Sequence, residues 1–411
     1  MVISVCSRQG VRRIGPIFLS AVVLAVGLSA CGASPASPET APPLSTPVSA
    51  EAHAGAGEIV YSEKANAGSL GQTELAIYRS TDGASGRATE VSAAFFLPQG
   101  SPPPGGWPVI AVGHGTTGVA PDCGPTVHPA TLGSTAPVAD LLRRGFAVTL
   151  IDYQGLGVAA IRHGDTAEHP AHPYLEPRSA AYNLADSVRA LRHLHPGQLS
   201  NRWAAAGHSQ GGQAAWAASE LDTSYAPELR LVAAMAMAPA ANLIAISGIG
   251  SGDTIPHDRA WIMPELVTGL SVSNPALNRW DFLRGQVRSQ LSLLISCDPA
   301  NASRRESALN SVTSADVAPS SSTAMNTLRT TIESYTLPQR VSRVPLYVMQ
   351  GTKDPVVPES STAGAVLGAC SMKSPVSYHT LDGRDHDIGD DMSGYEWLDH
   401  VMRGAPTTST C

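Results

Sequence analysis

The chain has 411 residues, 43% of them hydrophobic and 15% charged, with a formal net charge of −7. That length holds one large core, or a core with a helical addition, and that composition excludes a disordered chain. Lysine is confined to Lys64, Lys353 and Lys373 and no basic tract offsets the acidic balance, which excludes nucleic acid as a partner.

At the N-terminus, Arg12 and Arg13 precede an apolar stretch from Ile17 to Leu28. It is too short to span a bilayer comfortably and has the size of a signal-peptide core. It ends in Leu28-Ser29-Ala30-Cys31-Gly32. This pattern resembles the lipobox of bacterial lipoproteins, in which the cysteine is lipidated and becomes the first mature residue. Residues 1–31 are therefore read as a signal with Cys31 as the lipidation site. Residues 32–57, rich in Ala, Ser, Pro and Thr, are read as a tether. An ordinary secreted protein is the alternative. Both readings place the mature chain outside the cytoplasm, lipid-anchored at the outer face of the cell membrane or secreted. Cys6 leaves with the signal, so Cys123, Cys297, Cys370 and Cys411 remain in an oxidising compartment. Four cysteines allow three connectivities.

Folded structure is expected from near Glu58, with strands over Glu74–Arg79 and Thr89–Leu97. Pro108–Val112 is a continuous apolar run, a buried strand that feeds the loop His114-Gly115-Thr116-Thr117-Gly118. A helix over Ala136–Gly145 places Val138, Leu141 and Leu142 on one face, and Phe146–Ile151 is the next buried strand. Ser179–His195 is an amphipathic helix. The apolar run Trp203–Ala206 then meets Gly207-His208-Ser209-Gln210-Gly211, and Gly212–Ala218 continues as a helix. Arg230–Met237 is another apolar strand. Such runs, in place of clean period-two strands, signal a parallel sheet covered on both faces. The alternation stops near Ala241, and from there to about Pro338 the pattern is helical. That is too long for a loop and is read as a cap or lid. Val344–Gln350 resumes the sheet, followed by a helix at Glu359–Cys370, a strand at Val376–Leu381 and a helix at Tyr395–Arg403. The domain reading is thus a core over 58–240 and 341–411 with a helical cap over 241–340.

The pentapeptide around Ser209 has the form G-x-S-x-G, and its strand-before, helix-after setting marks a nucleophile elbow. A Cβ on either flanking glycine would clash in so sharp a turn. A serine hydroxyl needs a base within hydrogen-bond reach, and the base needs an orienting carboxylate. In an α/β hydrolase these follow the serine as acid, then His, each on a loop after a late strand. Asp354 lies just beyond Val344–Gln350, and His386 follows Val376–Leu381. His379 is the rival base but falls within the strand pattern. Asp385 and Asp387 flank His386 and are rivals for the orienting role. Backbone N–H groups of Gln210 and of Thr116, with Gly115 as the alternative, are the expected oxyanion donors. His114 and His208 are read as packing or hydrogen-bonding neighbours. His163, His169 and His172 share a loop with Asp165 and Glu168, but prolines at 170 and 173 leave no helical face to align ligands, so no metal is expected.

Several blocks together resemble the secretory lipase family, the lipases similar to Candida lipase A, which has many actinobacterial members. They are His114-Gly115-Thr116-Thr117-Gly118, Asp152-Tyr153-Gln154-Gly155-Leu156-Gly157, His172-Pro173-Tyr174-Leu175, Gly207-His208-Ser209-Gln210-Gly211-Gly212-Gln213-Ala214 and Tyr225-Ala226-Pro227-Glu228-Leu229. The resemblance implies an α/β-hydrolase fold with a helical lid, a triad of Ser209, Asp354 and His386, and disulfides Cys123–Cys297 and Cys370–Cys411. The activity it implies is carboxylic ester hydrolysis on lipid or small acyl-ester substrates, triacylglycerols among them, without a cofactor. The chain is expected to act as a monomer, membrane-associated through its lipid anchor. Acyl transfer to a cell-envelope acceptor, and a non-catalytic binding protein on the same fold, are the alternatives.

Overall fold

The structure, a computed structural model, describes residues 46–128, 131, 133–162, 171–221, 223–250 and 254–411. The expected signal, Cys31 and the tether up to residue 45 lie outside the described residues, as do His163, Asp165, Glu168 and His169.

The strands are β1 (Ile59–Asn66), β2 (Gln72–Thr81), β3 (Ala88–Phe96), β4 (Trp107–Gly113), β5 (Ala147–Ile151), β6 (Leu199–His208), β7 (Arg230–Met237), β8 (Leu346–Gly351) and β9 (Val376–Leu381). They form one nine-stranded sheet in the order β1-β2-β3-β5-β4-β6-β7-β8-β9. From β5 through β9 all neighbours are parallel. β1, β2 and β3 pair antiparallel, and β3 runs antiparallel to β5. Residues 67–71 and 82–87, which join β1 to β2 and β2 to β3, are too short for the crossover that parallel pairing needs. The sheet is thus mostly parallel, as expected, with an antiparallel edge that the apolar-run argument does not address.

Helices α1 (Ala50–Gly55), α2 (Thr135–Arg143), α3 (Val158–Ile161), α4 (Pro177–Leu194) and α5 (Gln210–Ser219) accompany the first seven strands. Between β7 and β8 lie α6 (Leu243–Ser247), α7 (Met263–Ser273), α8 (Gly285–Ser289), α9 (Leu291–Leu294), α10 (Ala302–Asn310) and α11 (Ser322–Tyr335). α12 (Glu359–Ser371) and α13 (Ser393–Met402) flank β9.

Alternation along each strand divides the core in two. Ala93, Phe95, Val109, Ala111 and Ala205 pack on one face with residues of α4, α5 and α12. Ala94, Phe96, Ile110, Val112 and Ala206 pack on the other with residues of α2 and α13. Both faces are dry, which is why these strands read as unbroken apolar runs. The helical insertion has its own core, from Leu243 and Ile246 through Met263, Leu266 and Leu270 to Leu328 and Ile332. That core also takes Val119, Tyr174, Leu175 and Val357 from loops of the sheet domain.

Order begins earlier than the tether reading has it. Ser49 caps α1 by accepting from the Ala52 N–H at 3.1 Å, and Ala52 is buried. The Ser49 N–H reaches the Gly86 carbonyl at 2.7 Å and the Gly57 N–H reaches the Arg79 carbonyl at 2.8 Å. A six-residue helix that docks through alanines carries no apolar periodicity, so composition alone does not separate it from a linker. Among the described residues no helix is long and apolar enough to cross a membrane.

Candidate active site

Ser209 stands between the end of β6 and the start of α5, with φ 56° and ψ −114°. Positive φ is costly for a side chain with a Cβ, and the surroundings hold it there. The Ser209 N–H donates to the Met237 carbonyl at 2.8 Å, while its carbonyl accepts from Gln213 at 3.0 Å and Ala240 at 3.1 Å. A Cβ at Gly211 would overlap the Gly113 carbonyl oxygen, and one at Gly207 would overlap the Gly211 backbone. Both glycines of the pentapeptide are therefore steric requirements. Ser209 itself is only 8% exposed.

The loops after β8 and β9 meet over this turn. The His386 ring accepts from the Ser209 hydroxyl at Nε2 (2.9 Å) and donates from Nδ1 to Asp354 Oδ2 (2.7 Å). Asp354 Oδ1 takes the Val356 and Val357 N–H groups, both at 2.8 Å, and Oδ2 also takes the Gln350 side-chain amide at 2.8 Å. Burial alone would raise the Asp354 pKa. The hydrogen bond and charge of His386, helped by Val357 and Gln350, outweigh it and hold the carboxyl below its usual value. The two loops are laced by Thr352 N–H to Leu381 O (3.0 Å) and Lys353 N–H to Arg384 O (2.8 Å). A Cβ at Gly351 would collide with the Arg384 and Asp385 carbonyls, so only glycine lets β8 end this close to the His386 loop. His208 adds a third tie by donating from Nε2 to the His386 carbonyl at 2.7 Å.

The rivals sit elsewhere. His379 is stacked on Tyr347 within the sheet, with ring centroids 4.5 Å apart. Asp385 and Asp387 are exposed, and the Nδ1 of His386 faces Asp354 instead.

Gln210 opens α5, so its N–H lies in the first turn and has no intrahelical acceptor. Among the described residues neither that N–H nor the Thr116 N–H donates to any acceptor. Loop 114–118 crosses the elbow closely: a Cβ at Gly115 would lie 3.7 Å from Ser209 Cβ and 3.2 Å from His208 Nδ1. The side chain of His114, the loop's first residue, is buried and bonded to the Gly115 carbonyl at 2.6 Å, and burial lowers its pKa to about 4. The disulfide Cys123–Cys297 fastens the loop's far end to the helical insertion, where Val119 and Ala120 also donate to the Ile295 carbonyl at 3.0 and 3.2 Å. The second disulfide, Cys370–Cys411, ties the C-terminus back to α12. Both pairings agree with those the family resemblance implies.

Three contributors escape a motif reading. Gln350 is an unremarkable residue near the end of a strand by sequence, yet it is fully buried against Asp354. His172, weighed by sequence as a metal ligand and given no role in the triad or oxyanion site, is bonded to Gln154 and Gln210. Tyr174 meets Thr116. The one signal that could have found the last two is the His172-Pro173-Tyr174-Leu175 block.

A mostly parallel sheet with a serine at a strand-to-helix elbow, and with acid and histidine on later loops, defines an α/β hydrolase. The solved structures agree in fold. Lipase A of Candida antarctica, in its closed state, superposes with a TM-score of 0.70 at 16% identity, over 90% of this chain and 89% of that one. The rice cell wall degrading esterase LipA of Xanthomonas oryzae superposes with a TM-score of 0.61 at 16% identity, over 84% of this chain and 96% of that one. No curated protein matches the chain. The secretory lipase family model matches residues 130–409, and the chain belongs to that family. Membership makes it a hydrolase of the lipase and esterase kind. Ser209, Asp354 and His386 all fall within the matched span, while loop 114–118 precedes it. A secretory family and two disulfides agree with an extracytoplasmic location.

Proposed function

We propose that this chain is a serine carboxylic ester hydrolase that cleaves lipid-like acyl esters, triacylglycerols among them, through an acyl-enzyme. One observation carries the reading: the unbroken hydrogen-bonded line from Ser209 Oγ through the His386 ring to Asp354 Oδ2, at 2.9 and 2.7 Å. His386 takes the Ser209 proton as the oxygen attacks the ester carbonyl. Asp354 keeps the proton on Nδ1 and stabilises the cation that forms. The Gln210 and Thr116 N–H groups receive the oxyanion, aided by the positive end of α5. His386 returns its proton to the departing alcohol. It then activates water, which attacks the acyl carbon and releases the acid.

Residues 1–31 act as the signal, Cys31 carries lipid, and the mature monomer works at the outer face of the membrane, on substrates that lie there. This part rests on the sequence alone. Replacing Ser209→Ala is expected to leave the fold intact and to lower kcat by at least ~10³-fold on nitrophenyl esters. Substantial ester turnover in that variant refutes the reading. Product partition toward an added alcohol would instead mark acyl transfer.

A further inference from the structure

One buried segment touches both residues assigned to the oxyanion. His172, Tyr174 and Leu175 pass beneath the elbow, each less than a twentieth exposed. The His172 Nδ1 lies 2.9 Å from the Gln154 carbonyl, which can only accept, so Nδ1 carries the proton. The other nitrogen, Nε2, then accepts from the Gln210 side-chain amide at 2.9 Å. Two residues on, the Tyr174 hydroxyl lies 2.8 Å from Thr116 Oγ1. The Leu175 carbonyl takes the Gln213 side-chain amide from α5 at 3.2 Å.

The segment is itself clamped. The His172 ring is stacked with Tyr153 at 5.7 Å, and the Tyr153 hydroxyl donates to the His114 carbonyl at 2.9 Å. A Cβ at Gly155 would overlap the backbone at Ala171 and His172. From the other side, α7 presses on Tyr174 so closely that a Cβ at Gly269 would collide with the Tyr174 Cβ. Leu175 is held at φ 61°, a conformation uncommon for a leucine.

We propose that His172 and Tyr174 are positioning residues for the oxyanion site. His172 fixes the first turn of α5 through the Gln210 side chain. Tyr174 fixes loop 114–118 through Thr116. Tyr174 is seated against α7 of the helical insertion, and His172 against Tyr153. The proposal rests on Gln210 and Thr116 being the oxyanion donors. An oxyanion exists only in the transition state and intermediates, so misplaced donors lower kcat and spare KM. Donors must be held to within about 0.5 Å for full effect.

The test removes one hydrogen bond from each end. Tyr174→Phe and Thr116→Val are each expected to lower kcat on a soluble nitrophenyl ester by about 10-fold, the effect of roughly one lost hydrogen bond, with KM within about twofold. Each is also expected to weaken a trifluoromethyl ketone, which forms a tetrahedral oxyanion with the serine, by a similar factor. The double variant is expected to fall no further than the worse single one, because both act through the same bond. His172→Phe keeps the stacked ring and is expected to show the same split, so it stands in if Tyr174→Phe does not fold. Wild-type kcat in these variants, a change in KM alone, or losses that multiply in the double variant overturn the proposal. A wild-type protein that a fluorophosphonate does not label at Ser209 refutes the serine-hydrolase reading instead, which separates the two failures.

Discussion

Asp354 is held by two N–H groups on Oδ1, but on Oδ2, the oxygen that faces His386, Gln350 is the one further donor among the described residues. Gln350→Met removes that donor with little change in bulk. A hydrogen bond to a charged group contributes about 1.5–3 kcal/mol, and Thr362 Oγ1, which donates to Gln350 Oε1 at 2.7 Å, loses its acceptor at about 1 kcal/mol more. Stability is therefore expected to fall by about 3 kcal/mol. Asp354 is ionised before and during the reaction, so most of this loss is structural. The part that reaches the rate is the freedom of Oδ2 to swing away from Nδ1. That freedom is expected to cost about 10-fold in kcat, against about 10⁴-fold for Asp354→Asn if this triad behaves as the serine-protease one does. Gln350→Glu is the sharper test. The introduced carboxyl shares its space with Asp354, and two carboxylates at about 3 Å cannot both ionise, so its pKa is forced up. An acid with a raised folded pKa contributes stability that is present below the unfolded value of about 4.3 and is lost as pH rises through the folded value. At pH 5 its O–H replaces the amide as donor to Oδ2. At pH 8 that donor is gone. Urea unfolding and kcat, each measured relative to wild type at both pH values, should therefore show a deficit that grows from pH 5 to pH 8. An equal deficit at the two, or a Gln350→Met enzyme with wild-type kcat, refutes the role given to Gln350.

Two further outcomes follow from the surroundings of the site. The disulfide Cys370–Cys411 closes a loop with a sequence separation of 41, so replacing both cysteines by serine is expected to cost up to about 4 kcal/mol, read by calorimetry, with kcat little changed because the tail lies along β9. Just past the ends of β4 and β5, burial lowers the His114 pKa to about 4 and raises that of Asp152 to about 6. The histidine contributes stability present above its unfolded pKa and lost as pH falls toward about 4. Asp152 acts oppositely, its contribution being present below its unfolded pKa and lost as pH rises through about 6. Each amounts to about 3 kcal/mol and they offset one another between pH 4 and pH 6. Asp152→Asn removes one side of that balance and should make urea stability fall more steeply than wild type on acidification through this range. Parallel curves for the two proteins would refute it.

The legible parts of this molecule are those whose physics is local. The elbow declares itself because a strand, a two-glycine turn and a helix are contiguous, and the steric demands at Gly207 and Gly211 are met within one turn and its neighbour strand. β7 coincides with the apolar run Arg230–Met237, whose residues from Ala233 to Met237 are buried in the middle of the sheet; β9 coincides with the strand pattern Val376–Leu381, though it is an edge strand with His379 and Thr380 exposed. The proposed acid and base, Asp354 and His386, whose side chains lie in one hydrogen-bonded line with Ser209 in the structure, were picked out by order along the chain, since a parallel sheet puts every loop after a strand on the same edge. Gln350 was not, because its role depends on a turn that folds Asp354 back over the strand's own end. The link from Tyr174 to Thr116 spans 58 residues and has no periodic trace. The disulfide pairing came from the family resemblance, as spacing left it open.

The division into a sheet domain and a helical insertion is less clean in space than along the chain. Val119, Tyr174, Leu175 and Val357 are packed in the insertion's apolar cluster. Each is adjacent to a part of the candidate site: Val119 follows loop 114–118, Tyr174 bonds Thr116, the Leu175 carbonyl takes the Gln213 side-chain amide of α5, and the Val357 N–H holds Asp354. Packed interiors transmit small displacements instead of absorbing them. A change of packing under α7 or α11 is therefore expected to reach loop 114–118 and Asp354 as well. On the proposed function, a substitution in the insertion that alters acyl preference is expected to change kcat as well as KM, read on a chain-length series of nitrophenyl esters; a change in KM alone across the series would refute this coupling.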